Sequence, residues 1–416
     1  MAKLRMKARK EVIERQEKAY KKATKKGKSA ILTYVCETTG LSRDRAQRLL
    51  KGKPSGHQET PKTRSTQQRR GRRRKYGAKE AKYLEKIWAY MGNACGKLIV
   101  RGIGDMLDAL IRHGEWDADS EVTEKLRGMS ASTMDRLLKA TKEAMRFKGK
   151  STTKPGTMLK KNIPTRLGSQ WDEDMPGYME IDLVAHCGST TAGDYINTLD
   201  ATDINTGWTE SVAVPNKAQR HVFAGVKQIR GRLPFELRGI DSDNGSEFIN
   251  AILYRYCCDE GIVFTRSRPN RKNDNCHVEQ KNWHIVRRNI GYCRYEGEEA
   301  VVAINDYYSL LRLQTNFFLP QAKLVSKTRD GARVTKKYDT PKTPCQRALN
   351  SAHVGEEAKK RLRAQLKSLN PAAIVRGMAA AMEKLAKLAM PQDGSPSREA
   401  PKAKPQKPLS IKPIRY

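Results

Sequence analysis

The sequence predicts a multidomain chain: basic α-helical modules at the N-terminus, an α/β centre, and a C-terminal region with a small β-rich segment followed by helices. Three observations carry this. At 416 residues the chain is too long for one ordinary domain, so two to four are expected. Apolar residues recur at helical spacing through residues 77–147 and then in short strand-like runs over residues 171–300. Two polar stretches rich in Pro, Gly and Lys, residues 53–76 and 148–170, separate the periodic segments as linkers.

Residues 1–52 read as a basic helical domain. Ile31, Leu32 and Val35 form one apolar face, Gly40 supplies a turn and Leu41 plugs the core. Ser42 caps a second helix whose Ala46, Leu49 and Leu50 face inward. Arg43, Arg45, Gln47 and Arg48 are left facing outward, as on the recognition helix of a helix-turn-helix; a helical hairpin with a solvated basic face fits the same pattern. In the linker, Arg69, Arg70, Arg72, Arg73 and Arg74 surround one glycine. That run suits either a narrow minor groove or phosphate contacts without sequence choice. Residues 77–147 read as a second helix-turn-helix or a plain helical bundle. Leu84, Ile87, Trp88 and Met91, then Ile103, Met106, Leu107, Leu110 and Ile111, recur at helical spacing, and Ser132 and Asp135 frame a capping box.

Strands are expected around Asp182, over residues 194–199 and 207–214, then a helix at 217–229, a strand at 235–240, a helix at 246–258 and a strand at 262–265. Residues 305–313 read as helical, residues 323–338 contain a basic hairpin around Arg333, Val334 and Thr335, and residues 354–390 are helical, with Asn370 capping and Pro371 at the first helical position. Residues 301–350 and 351–390 divide the C-terminal region, and the Pro/Lys-rich residues 391–416 are expected to be disordered when free. Trp171, Trp208 and Trp283 are expected in the core.

Composition narrows the function. A net charge of +36 demands a polyanion, with nucleic acid as the default partner. Through residue 76 there are 25 Lys/Arg against 6 Asp/Glu, about half of the whole surplus. No apolar run nears the ~20 residues of a membrane span, and no apolar signal region follows the charged N-terminus. The eight cysteines form no C-x-x-C pair, so reduced thiols in a cytoplasmic protein are expected, and the seven histidines lack zinc spacing.

Three carboxylates stand out. Asp182 lies within the apolar run Tyr178–Val184, where an unpaired charge is expensive. Asp243 precedes an Asn-Gly turn at the end of a strand-like run, and Glu279 sits at the start of a helix after a gap of 35 residues. This constellation resembles the D,D-35-E core of retroviral integrases and bacterial insertion-sequence transposases, over roughly residues 170–300. The missing His/His/Cys/Cys zinc domain pulls the resemblance toward the bacterial transposases. It implies a ribonuclease-H-like fold of order βββαβαβα for residues 171–300, a small β-rich domain after it, and a tandem end-binding region before it. It also implies two Mg²⁺ or Mn²⁺ ions held by Asp182, Asp243 and Glu279, with Asp182 bridging. Mg²⁺ prefers such oxygen ligands, and two cations ~4 Å apart stabilise both ends of an in-line displacement. Asp241 and Glu247 are the rivals for the role of Asp243, Asp241 on the same strand face, and Glu180 shares a face with Asp182. Lys272, Lys281 and Arg287, with Asn275 and Asn282, surround Glu279 and are candidates to touch DNA.

The expected activity is binding of terminal inverted repeats, cleavage of the element's 3′ ends and their transfer to target DNA. Expected partners are double-stranded DNA and further copies of the chain, a homodimer or higher oligomer, with no membrane and no small-molecule substrate. A nucleoid-associated bacterial cytoplasmic protein is expected. The alternatives are a viral or retrotransposon integrase and a non-catalytic DNA-binding regulator.

Overall fold

The computed structural model describes residues 6–52, 75–144, 175–243, 245, 247–266, 278, 281–330 and 333–390. The chain divides into two compact units, Met1–Arg73 and Arg74–Tyr416.

The described residues of the first unit form three helices: α1 (Met6–Lys22), α2 (Lys25–Thr39) and α3 (Arg43–Leu50). Thr24 opens α2 by accepting from the Gly27 amide, and Gly40 closes it at φ +67°, where a residue with a Cβ is strained. Leu32, Val35, Ala46 and Leu50 form the core, with Ile31 and Leu41 packed against it. Tyr20 of α1 joins them. Ser42 stands at the N-cap of α3 in extended conformation, but its side chain makes no capping bond.

The second unit opens with α4 (Ala78–Tyr90), α5 (Gly96–Arg112), α6 (Ser120–Arg127), α7 (Ala131–Leu137) and α8 (Lys139–Ala144). These helices are not a body of their own. Leu84, Ile103, Leu107 and Leu126 belong to one hydrophobic core with Trp208, Ile304 and Leu385. The cap of α7 is also displaced from the expected position: Ser130, not Ser132, accepts from the Thr133 amide. Asp135 instead accepts from the Gly96 amide at 2.9 Å and from Lys142 at 2.6 Å, tying α7 to α5.

A five-stranded mixed sheet follows: β1 (Tyr178–Ala185), β2 (Asn197–Asp203), β3 (Thr209–Val214), β4 (Gly239–Ser242) and β5 (Val263–Arg266). Their order is β3-β2-β1-β4-β5. β1, β2 and β3 pair antiparallel, while β4 and β5 run parallel to β1. Helix α9 (Gln219–Arg230) links β3 to β4, and α10 (Ala251–Asp259) links β4 to β5. β4 is shorter than the expected 235–240 strand and shifted beyond it. α10 starts five residues later than the pattern suggested, because Asn250 caps it by accepting from the Leu253 amide at 2.9 Å. Alternation along the strands turns Ile181, Leu199, Ala201, Val212 and Ile240 to one face, against Val222, Val226 and Ile229 of α9 and Leu253 of α10.

Beyond the sheet, α11 (Gly297–Leu313) runs into a π-helical turn, Gln314–Phe318. Side chains from this stretch satisfy the free edge of β3. The Asn305 carboxamide exchanges two hydrogen bonds with the Ala213 backbone, at 2.9 and 3.0 Å. Asn316 does the same with Thr209, at 2.9 and 2.8 Å. An edge strand is thereby closed to other chains. The expected hairpin is β6 (Leu324–Asp330) and β7 (Arg333–Tyr338). Helices α12 (Pro344–Asn350), α13 (Glu356–Ser368) and α14 (Pro371–Leu388) complete the unit, and Asn370 caps α14 through the Ala372 and Ala373 amides. Among the described residues no helix is long and apolar enough to cross a membrane.

Candidate active site

The second face of the sheet is polar, and most of it is buried. Register lines its side chains into two rows. Ser211, Asp200 and Asp182 form one row across β3, β2 and β1. Thr209, Thr202, Glu180, Asp241 and Thr265 form the other across all five strands. Such groups are costly away from water unless each finds a partner. Ser211 donates to Asp200 at 2.7 Å, and Thr265 donates to Asp241 at 2.5 Å. Glu180, fully buried, accepts from the Val278 amide at 3.1 Å, so it holds the segment that leads into Glu279.

Asp182 and Asp243 are brought side by side by the parallel pairing of β1 and β4. Ile181 is the register partner of Ser242, and each aspartate follows one of these two. Asp182 accepts from its neighbour's amide, Leu183 N, at 2.8 Å and from Asn282 Nδ2 at 2.5 Å. Burial, then the charge of Asp243, pushes the Asp182 carboxyl up to about 7. Asp243 lies just past the end of β4, where its Oδ1 accepts from the Gly245 amide at 2.8 Å in a tight turn. Burial and the charge of Glu247 raise its carboxyl too. Two hard, mutually repelling carboxylates in a dry setting fit a divalent cation such as Mg²⁺. Among the described residues no three His, Cys, Asp or Glu side chains gather as a metal-binding group. Glu279, the expected third ligand, lies outside the described residues, as do Lys272, Asn275 and Trp171.

Asn282–Arg287 form a π-helical turn. π-turns are rare and frequent at functional sites. One expectation, a buried Trp283, is corrected here. The Lys281 ammonium donates to Gln321 Oε1 at 2.7 Å. Burial brings that ammonium down to about 8, against the opposing pull of Asp200. Trp208 is buried as expected, but Trp283 is 53% exposed. Asn282 faces the Asp182 carboxylate and donates to it. Arg287 stacks over the Tyr292 ring at 4.9 Å.

In the first unit Arg45 and Arg48 are exposed on α3, with Gln47 half-buried. Arg43 folds back onto α2, donating to Ser29 Oγ at 2.7 Å and Thr33 Oγ1 at 3.0 Å. Arg69, Arg70, Arg72, Arg73 and Arg74 lie outside the described residues.

Two features of this face are additional to the sequence reading. Asp200 is the register partner of Asp182 and is fully buried, and burial pushes its carboxyl up to about 7. A buried chain joins His186, Thr198 and Tyr308 through contacts of 2.7 Å each, and burial holds the His186 imidazole down at about 3, hence neutral. The signal for both was present: Thr198, Asp200 and Thr202 alternate with the apolar Leu199 and Ala201, the period-2 mark of a polar strand face.

Fold and site together define a mixed α/β protein with flanking helices and a paired-carboxylate centre. No family model matches the chain. The uncharacterized protein y4rM of Sinorhizobium fredii is 38% identical over 342 residues, which span 82% of this chain and 95% of that protein. The chain belongs to the same family as that protein. Among solved structures it is similar to the catalytic core domain of BIV integrase, at 18% identity and a TM-score of 0.27, covering 42% of this chain and 96% of that one. It is also similar to the dimeric form of the HTLV-2 integrase catalytic core domain in complex with magnesium, at 12% identity and a TM-score of 0.27, covering 35% and 91%.

Proposed function

We propose that this protein is a DNA transposase of the insertion-sequence type, with a ribonuclease-H-like core and Asp182, Asp243 and Glu279 as its catalytic carboxylates. The observation that carries the reading is the register of β1 and β4, which sets Asp182, in the middle of β1, beside Asp243, just past the end of β4. The element order β1-β2-β3-α9-β4-α10-β5 supports it, since the resemblance implies βββαβαβα. The net charge of +36 supplies the partner, duplex DNA.

Bound Mg²⁺ or Mn²⁺ would supply Lewis-acid stabilisation of the attacking and leaving oxygens. Asp182, Asp243 and Glu279 would hold it. Asn282 fixes the Asp182 carboxylate by donating to Oδ2, leaving further lone pairs on both oxygens for coordination. Glu180 anchors the residue before Glu279. No protein nucleophile is needed: water opens the phosphodiester at each element end, and the freed 3′-hydroxyl attacks target DNA. The basic first unit and the arginine-rich residues 69–75 would grip the ends. Pairing of two ends calls for at least two copies of the chain.

Asp243→Asn tests the assignment. Cleavage and joining should vanish while affinity for element-end DNA stays near that of the unaltered protein. Loss of binding together with activity would make Asp243 a structural residue.

A further inference from the structure

The β6–β7 ribbon takes no part in the chemistry proposed above. Its strands pair antiparallel from Leu324 opposite Tyr338 to Asp330 opposite Arg333, and they form a sheet of their own. A two-stranded ribbon alone is marginal in water. Leu324, Val325, Val334 and Tyr338 are all exposed on it. Its base, by contrast, is firmly held. Lys323 N donates to Asp339 Oδ1 at 2.7 Å, and Asp339 N donates to the Lys323 carbonyl at 2.9 Å. Asp339 is also paired with Arg347 of α12 at 2.7 Å. Lys323 Nζ donates to the Asn205 carbonyl, in the turn between β2 and β3, at 2.9 Å. The ribbon is thus a stalk fixed to the five-stranded sheet at one end.

Its charge points to the occupant. Residues 323–338 contain six Lys or Arg and one Asp. Register sets Lys327 directly opposite Lys336, and Lys337 follows. Like charges directly opposite one another destabilise a ribbon, so its own folding does not account for them, whereas a polyanion along the ribbon compensates them. A second copy of the chain is a poor occupant. Lysines on an edge hinder pairing with another strand, and each copy carries a net charge of +36. Duplex DNA fits in shape as well: the major groove admits a two-stranded ribbon. Seven residues of strand reach about 20 Å, roughly six base pairs.

We propose that the β6–β7 ribbon is a DNA-gripping arm that lies along a duplex and contacts its phosphates through the exposed Lys336 and Lys337. The arm adds to the basic N-terminal segments and rests on the DNA-binding part of the function proposed above, not on strand transfer.

The test uses the full chain as Lys336→Ala/Lys337→Ala and Lys336→Arg/Lys337→Arg. A third variant, Lys384→Ala/Lys387→Ala, removes the same charge from an exposed face of α14. Fluorescence titration over a salt series is run on an element-end duplex and on an unrelated duplex of equal length. The ribbon alanine variant should lower the slope of log affinity against log salt by about 1–2. The arginine variant should keep the slope, and so should the α14 variant. A fall on the end duplex alone makes the element end the ribbon's DNA; a fall on both makes it any duplex, target included. Unchanged slopes on both duplexes, or an equal fall in the α14 variant, would overturn the proposal. If the slope falls while the unaltered protein transfers no strands in any divalent metal, the transposase reading fails and the arm stands. If strands are transferred and the slope does not move, the arm alone fails.

Discussion

Asn282 Nδ2 donates to Asp182 Oδ2 at 2.5 Å, joining the middle of β1 to a π-turn 100 residues further along the chain. The bond aligns the carboxylate that lies nearest the centre of the proposed chemistry, and it does so from the same turn that follows Glu279. Replacing Asn282 by Ala should leave the fold intact and lower strand transfer about 10- to 100-fold. The check is a single-turnover rate at saturating Mg²⁺ beside a melting curve. An unchanged rate would mean that Asp182 needs no such alignment.

A pH-dependent stability follows from Asp182. Burial and the Asp243 charge put its carboxyl at about 7 in the fold, against ~3.9 in an unfolded chain. Between those values the folded state holds the extra proton, so stability contributed by this group is full in acid and is lost as pH rises through about 7. Asp200 acts in the same direction. His186, held neutral by burial, acts oppositely as pH falls below the ordinary histidine range. The comparison that isolates Asp182 is therefore Asp182→Asn against the unaltered protein in EDTA. The variant should melt higher at pH 8, with the advantage shrinking toward pH 5. A difference independent of pH would contradict the dry, repelled carboxylate.

Arg312 should matter for stability through Glu210. Its guanidinium donates to both oxygens of that fully buried carboxylate, at 2.6 and 2.7 Å, and Trp208 Nε1 adds a third donor at 2.8 Å. Arg312→Met leaves a buried charge uncompensated and should cost about 3–5 kcal/mol. Urea unfolding measures it, and adding Glu210→Gln should restore part of the loss. A loss below ~1 kcal/mol would mean the carboxylate is solvated or neutral.

The first unit makes a distinction between its arginines. Arg45 and Arg48 are exposed, whereas Arg43 is bonded to Ser29 and Thr33 of α2. Alanine at both Arg45 and Arg48 should lower the salt slope of DNA affinity by about 2, and alanine at Arg43 should leave it nearly unchanged. Fluorescence titration over a salt series reads both, and equal slopes for the two variants would remove this surface from the DNA contact.

Much of this was legible in the chain because local signals agreed with tertiary need. The switch from helical to strand spacing marked the sheet, and Asn370 with Pro371 marked the start of α14. The β6–β7 hairpin falls where residues 323–338 were expected to hold one around Arg333, Val334 and Thr335. What failed did so where distant contacts decide. Leu84, Ile103 and Leu107 carry a helical period that looks the same whether their helices stand alone or, as here, share a core with Trp208 and Leu385. Asp135 suggested a cap partner for Ser132, yet its carboxylate is taken by Gly96 and Lys142. Trp283 carried an apolar side chain that suggested the core, but the π-turn leaves it exposed.

Strand transfer by Asp182, Asp243 and Glu279 is open to direct measurement. The direct measurement incubates the purified full-length protein with a labelled duplex of the element end that flanks its own gene, supercoiled target DNA and Mg²⁺. End-joined product should form and should disappear with EDTA and with Glu279→Gln, while end binding persists. Tight binding with no nicking or joining in Mg²⁺, Mn²⁺ or any other divalent metal would contradict it and leave a DNA-binding regulator.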